Sequence, residues 1–175
     1  MSTHAAGAAD TQSIEKTIWR IDPERSSVEF HVKAMWGIVT VKGAFSRYHG
    51  TLNLSGERAI ELTIEADSLD TKNKRRDTHL RSPDFFDAEQ HPYVRFVSDS
   101  AALEGDRLSV RGELHARATS MPLDVDATLR RAGDELELEA VTIADHRRLG
   151  MTWDVLGTRR GPCKLIVKGR LVRDR

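Results

Sequence analysis

The sequence predicts an all-β protein built from antiparallel strands, arranged as a sandwich or a barrel. Three observations carry this. Apolar residues alternate with polar ones along most of the chain, which marks half-buried strands. Turn-forming dipeptides separate the runs at regular spacing. One apolar stretch reverses its phase, as a strand does when it turns a corner.

The runs are explicit. Val28, Phe30 and Val32 alternate with Glu29, His31 and Lys33, and Ile60, Leu62 and Ile64 with Glu61, Thr63 and Glu65. Leu108, Val110 and Leu114 follow the same rule, as do Leu123 to Leu129, Leu136 to Leu138 and Cys163 to Val167. One apolar and one wet face per strand is the habit of antiparallel sheets. Asp22-Pro23, Ser55-Gly56, Glu104-Gly105-Asp106, Ala132-Gly133-Asp134 and Gly161-Pro162 punctuate the runs. Val39, Val41 and Phe45 share one parity, and Tyr48, Leu52 and Leu54 the other, so a bulge or bend is expected between Ser46 and His49.

Asp70 to Pro92 departs from the strand pattern. Asp70 or Thr71 is a candidate cap for a helix through Lys72 to Leu80. Ser82-Pro83 then reads as the start of a second short helix carrying Phe85 and Phe86. Such an insert suits one end of a barrel, either as a lid or as plain filling.

The chain has 175 residues, which favours one domain. Lys plus Arg and Asp plus Glu both number 27, so charge gives no reason to expect nucleic acid as a partner. The single cysteine, Cys163, excludes an internal disulfide and a Cys-rich zinc site. Residues 1–16 lack the basic start and the ~7–15 apolar residues of an export signal. They read as a disordered arm ahead of a domain over 17–175, and a cytoplasmic location is expected.

The segment from Ser68 to Ser98 carries Asp70-Thr71, Arg76-Asp77, His79-Leu80, Asp84-Phe85-Phe86-Asp87, His91-Pro92 and Phe96. Together these resemble the central signature of the YceI-like, polyisoprenoid-binding family. Trp19 to Pro23, Ser26 to Phe30, Val41 to Phe45 and His146 to Met151 resemble its flanking segments. Two positions depart from the family pattern: Arg25 replaces a frequent histidine, and Ala118 a usual glycine.

The resemblance implies a lipocalin-like, closed antiparallel barrel of about eight strands with a short helical insert at one end. It further implies a hollow interior that binds, and transports or stores, a polyisoprenoid or quinone-type lipid. The tunnel would be lined by Phe30, Val32, Phe45, Leu62, Ile64, Phe85, Phe86, Phe96, Leu114 and Trp153. Arg76, Asp77 and His79 are candidates for a head-group contact or lid, although Arg76 and Asp77 equally suit anchoring of the insert to strand ends. Transient membrane contact and a homodimer are compatible partner states. The alternative is a stress-related interaction module with a filled barrel and no ligand.

No nucleophile elbow, phosphate loop, dinucleotide fingerprint or zinc-protease helix occurs in the sequence. The chain is therefore expected not to be an enzyme, and to need no cofactor or metal. A cryptic activity on bound lipid would call on His79 or His146 for proton transfer.

Overall fold

The computed structural model describes residues 10–34, 38–151 and 162–175. Among the described residues eleven strands form one antiparallel sheet: β1 (Trp19–Ile21), β2 (Ser27–Ala34), β3 (Val39–Phe45), β4 (Tyr48–Leu52), β5 (Ile60–Glu65), β6 (Leu69–Asp70), β7 (Tyr93–Glu104), β8 (Arg107–Ala116), β9 (Thr119–Ala132), β10 (Glu135–Ala144) and β11 (Cys163–Arg173). The order β1-β4-β5-β7-β8-β9-β10-β11 closes through a β1–β11 pairing, which makes an eight-stranded ring. Strands β2, β3 and β6 extend the sheet beyond β11.

The short strands are halves of broken longer ones. β1 and β2 both pair with β11, at Leu171 to Arg173 and at Lys164 to Lys168 respectively. The break between them is a 3-10 turn, Pro23–Arg25, capped by Asp22. Arg25 holds this corner against the barrel, donating to Asp22 at 2.6 Å and to both Glu135 carboxylate oxygens at 3.0 and 2.8 Å. β3 and β4 are a second broken pair, and the expected bend falls between them at Ser46-Arg47. There the Ser46 N–H donates to the Ser68 carbonyl. A register shift at Ser98/Ser100 in β7 gives a further bend.

The alternation places the core inside the ring. In β8 every second residue is buried, from Leu108 through Val110, Gly112 and Leu114 to Ala116. Burial of these apolar faces is the main term favouring the fold, roughly 25 cal/mol per Å² removed from water.

Residues 10–15, expected in a disordered arm, instead form a short helix, α1. Ile14 is buried and its carbonyl accepts a 3.2 Å bond from Trp19 Nε1, while Asp10 pairs with Arg131 at 2.9 Å. Burying an indole without a partner for its N–H is costly, so Trp19 draws this turn onto the barrel end.

Helix α2 (Lys74–Arg81) is the expected insert helix, but its cap is Asn73, whose side chain accepts from the Arg76 N–H. Asp70 is held by Lys72, and Thr71 by Asp77, so neither is available to cap. The second helix expected from Ser82-Pro83 does not form. Ser82 ends α2, its hydroxyl donating to the His79 carbonyl at 2.6 Å, and the chain continues in turns.

The two-residue β8–β9 hairpin is closed by Arg117 (φ 53°) and Ala118 (φ 57°). Positive φ at both positions is the type I′ geometry that matches strand twist. Alanine pays for it through its Cβ, by roughly 1–2 kcal/mol. Ala118→Gly should therefore raise stability by about 1 kcal/mol after glycine's greater chain entropy is counted. Urea denaturation checks this; a lower midpoint would refute it.

Candidate functional site

The barrel encloses an apolar cavity of ≈ 180 Å³. At one end it is bordered by Ile21, Leu52 and Leu171, and at the other by Ala116, Ala144, His146, Met151 and Cys163. The second end is the one covered by the insert. The helix α2, the turns carrying Phe85 and Phe86, and the 3-10 turn His146–Leu149 lie there.

Of the residues the sequence put along the tunnel, Phe30, Phe45, Leu62, Ile64, Phe85, Phe86, Phe96 and Leu114 all border the cavity. The tertiary fold gathers four of them into one aromatic cluster. Ring centroids are 5.5 Å apart for Phe30–Phe45, 6.2 Å for Phe30–Phe86, 5.7 Å for Phe45–Phe86 and 4.9 Å for Phe85–Phe86. Tilted and edge-on contacts of this kind are the favourable ones for aromatic rings. Val32 is a correction: it is buried at 2% exposure but does not border the cavity, because it sits toward the β2 end, opposite Val41. Trp153 lies outside the described residues.

The head-group candidates sit elsewhere. Asp77 is buried and accepts from the Thr71 N–H at 2.9 Å and from the Thr71 hydroxyl at 2.5 Å. Arg76 Nε donates to the same hydroxyl oxygen at 2.9 Å, and Nη2 to the Thr71 carbonyl at 2.8 Å. Arg76 and Asp77 thus converge on one residue and tie α2 to the end of β6, the anchoring role. His79 lies half-buried on α2, and none of the three borders the cavity.

Sequence reasoning missed Arg117. Its Nη1 donates to the Phe85 carbonyl at 3.0 Å and to the Gly150 carbonyl at 2.8 Å. One guanidinium at a hairpin tip therefore joins the aromatic turn to the segment after His146. The local cue was only an arginine in a hairpin; its partners lie more than thirty residues away in both directions.

The lining is electrostatically quiet. Glu29, Thr51 and Glu61 border it, but strand alternation points their side chains outward, and Glu61 pairs with Arg58 and Arg95 at 3.3 Å each. The Thr142 hydroxyl donates to the Asp124 carbonyl at 2.8 Å. Burial pushes the Cys163 thiol up to about 12, which keeps it protonated and unreactive. His146 is 5% exposed, and burial lowers its pKa, which favours the neutral imidazole. Among the described residues no group of three or more His, Cys, Asp or Glu side chains could hold a metal ion.

A family model described as a YceI-like domain matches residues 19–168. The chain belongs to the YceI-like family. Protein YceI of Escherichia coli O157:H7 is 30% identical over 123 residues, which is 67% of this chain and 64% of that protein. A UPF0312 protein of Pectobacterium atrosepticum is 31% identical over 117 residues, 64% of this chain and 60% of its own length. This YceI-like chain thus spans less than two thirds of these curated relatives. Among solved structures, a polyisoprenoid-binding domain from Saccharophagus degradans superposes with a TM-score of 0.74 at 12% identity, covering 91% of this chain and 100% of that one. BcnA of Burkholderia cenocepacia gives 0.72 at 21% identity, over 86% and 98%. At such identities the structural matches establish the lipocalin-like YceI barrel as the fold.

Proposed function

We propose that this protein binds one long-chain isoprenoid or quinone-type lipid inside its barrel, and carries or stores it without catalysing a reaction. The observation that carries this reading is the apolar cavity, walled at its covered end by the cluster of Phe30, Phe45, Phe85 and Phe86. Family membership and the named ligand class of the Saccharophagus domain support the same class here.

Size and energy are compatible with it. The void is comparable to the ~150 Å³ engineered cavity that stays dry and takes up benzene. A chain of several isoprene units needs a pocket within the usual ~300–1,000 Å³. Such a chain requires the lining to open further, and the partly buried Leu62, Leu138 and Leu165 are the side chains with room to change rotamer. Each buried CH₂ contributes ~0.8 kcal/mol against water. Lipid tails are as apolar as a protein interior, so exchange with a membrane is close to balanced.

The outer surface at the insert end suits such an exchange. Ile143 is 63% exposed there, and Lys164 lies directly opposite it on β11. The row continues through His31 on β2 to Lys42 on β3. An apolar side chain beside lysines is the pairing that meets an anionic bilayer.

The void argues against the filled-barrel alternative. For the enzyme alternative, only His146 of its two candidate histidines borders the cavity. Organic extraction of the denatured protein followed by mass spectrometry tests the proposal. About one equivalent of a long-chain apolar species is expected. Repeated extracts without one, together with no uptake of prenols by delipidated protein, would rule the carrier function out.

A further inference from the structure

Among the described residues that border the cavity, His146 is the one that an all-hydrocarbon occupant leaves unexplained. It is nearly fully buried, borders the cavity, and its Nδ1 is buried with no hydrogen-bond partner among the described residues. Its ring lies 5.6 Å from that of Phe85, within the aromatic end of the lining. A buried polar atom left unpaired is costly, and its persistence in an otherwise apolar wall calls for a partner.

The surroundings restrict what that partner is. Arg147, the adjacent cation, is bonded to Asp145 through Nε at 2.8 Å and Nη2 at 2.9 Å. Arg117 is bonded to the Phe85 and Gly150 carbonyls. Both guanidiniums are thus committed, Arg148 on the same turn is exposed and does not border the cavity, and one neutral imidazole is a poor counterpart for a multiply charged head group. A neutral imidazole offers one donor and one acceptor, which matches a hydroxyl or a carbonyl oxygen.

We infer that His146 is the specificity-determining contact of the cavity, and that it hydrogen-bonds an uncharged oxygen of the bound chain, a hydroxyl or a quinone-type carbonyl, in preference to a phosphorylated end. This rests on the carrier reading and deepens it. The chain's polar end then sits under the insert, and its hydrocarbon runs toward Ile21 and Leu171.

Delipidated full-length protein should be titrated with three probes: geranylgeraniol, geranylgeranyl diphosphate and the C20 hydrocarbon phytane. Wild type is expected to bind geranylgeraniol roughly tenfold more tightly than either other probe. His146→Phe should abolish that preference, weakening geranylgeraniol about tenfold relative to phytane. His146→Asn, which restores a donor and an acceptor, should recover part of it. Tightest binding of the diphosphate, or equal binding of alcohol and hydrocarbon by wild type, overturns the inference and leaves the carrier function standing. These wild-type comparisons decide the matter even if a variant fails to fold. Failure of wild type to bind any of the three removes the carrier function and this inference together.

Discussion

Phe30→Ala is expected to lower stability by about 3 kcal/mol and to widen the range of chains the barrel accepts. Losing a phenyl ring from a filled core costs ~3–5 kcal/mol. Phe30 borders an existing void on one side, so part of its surface has no packing partner to lose, and the low end applies. On its other sides it meets Phe45 and Phe86 and lies over Gly43, the residue opposite it on β3. The Phe30 ring occupies the place of a Gly43 side chain, since a Cβ there would fall 2.3 Å from Cζ. Gly43→Ala alone should therefore displace the ring, whereas in a Phe30→Ala background the same methyl partly refills the gap. Chemical denaturation of the two single variants and the double variant reads this coupling. Additive losses would show that the ring and the glycine are not packed together. Delipidated Phe30→Ala should also take up bulkier tails than wild type. Loss of stability with no change in tail preference would place Phe30 in a plain core.

Gly112→Ala should be comparably disruptive, by about 3 kcal/mol, for a different reason. A Cβ at this position would lie 2.3 Å from the Val97 carbonyl oxygen and 2.8 Å from Ser98 Cα. Both are backbone atoms at the β7 register shift, and they cannot swing aside as a side chain does. The neighbouring Ser98 is itself committed, its Oγ accepting from the Ile60 N–H at 2.8 Å. Relief requires opening the β7–β8 ladder, which puts the cost at the top of the usual ~1–3 kcal/mol of overpacking. Gly169→Ala is the control. Its nearest atom would be Ile21 Cδ1 at 3.5 Å, an ordinary contact, and a change within ±0.5 kcal/mol is expected. Equal effects of the two substitutions in thermal denaturation would refute the assignment of Gly112 to a close approach.

What the sequence determined by itself is what the pleat makes local. Side chains alternate faces along a strand, so the inward set of β2, β5, β8 and β9 is written in runs of a few residues. The corner near Ser46 was legible for the same reason, as a change of parity. The bulge at Ser98 was not, because the apolar run around it keeps no strict alternation. The lining aromatics were legible through alternation and the family signature together.

Only the tertiary structure decided the rest. Closure of the ring depends on pairing Trp19 with Arg173, residues at opposite ends of the chain, and no local pattern encodes such a partner. The choice of Asn73 over Asp70 or Thr71 as helix cap turned on which side chains were already held by Lys72 and Asp77. The fate of residues 10–15 turned on the need of the Trp19 indole for an acceptor. The different placement of two histidines was decided the same way. His79 and His146 were equal candidates in the sequence, yet the barrel leaves one on the insert and sets the other against the cavity. Whether a side chain meets a void depends on how strands more than a hundred residues apart fail to fill the space between them, and that is a property of the closed barrel rather than of any segment in it.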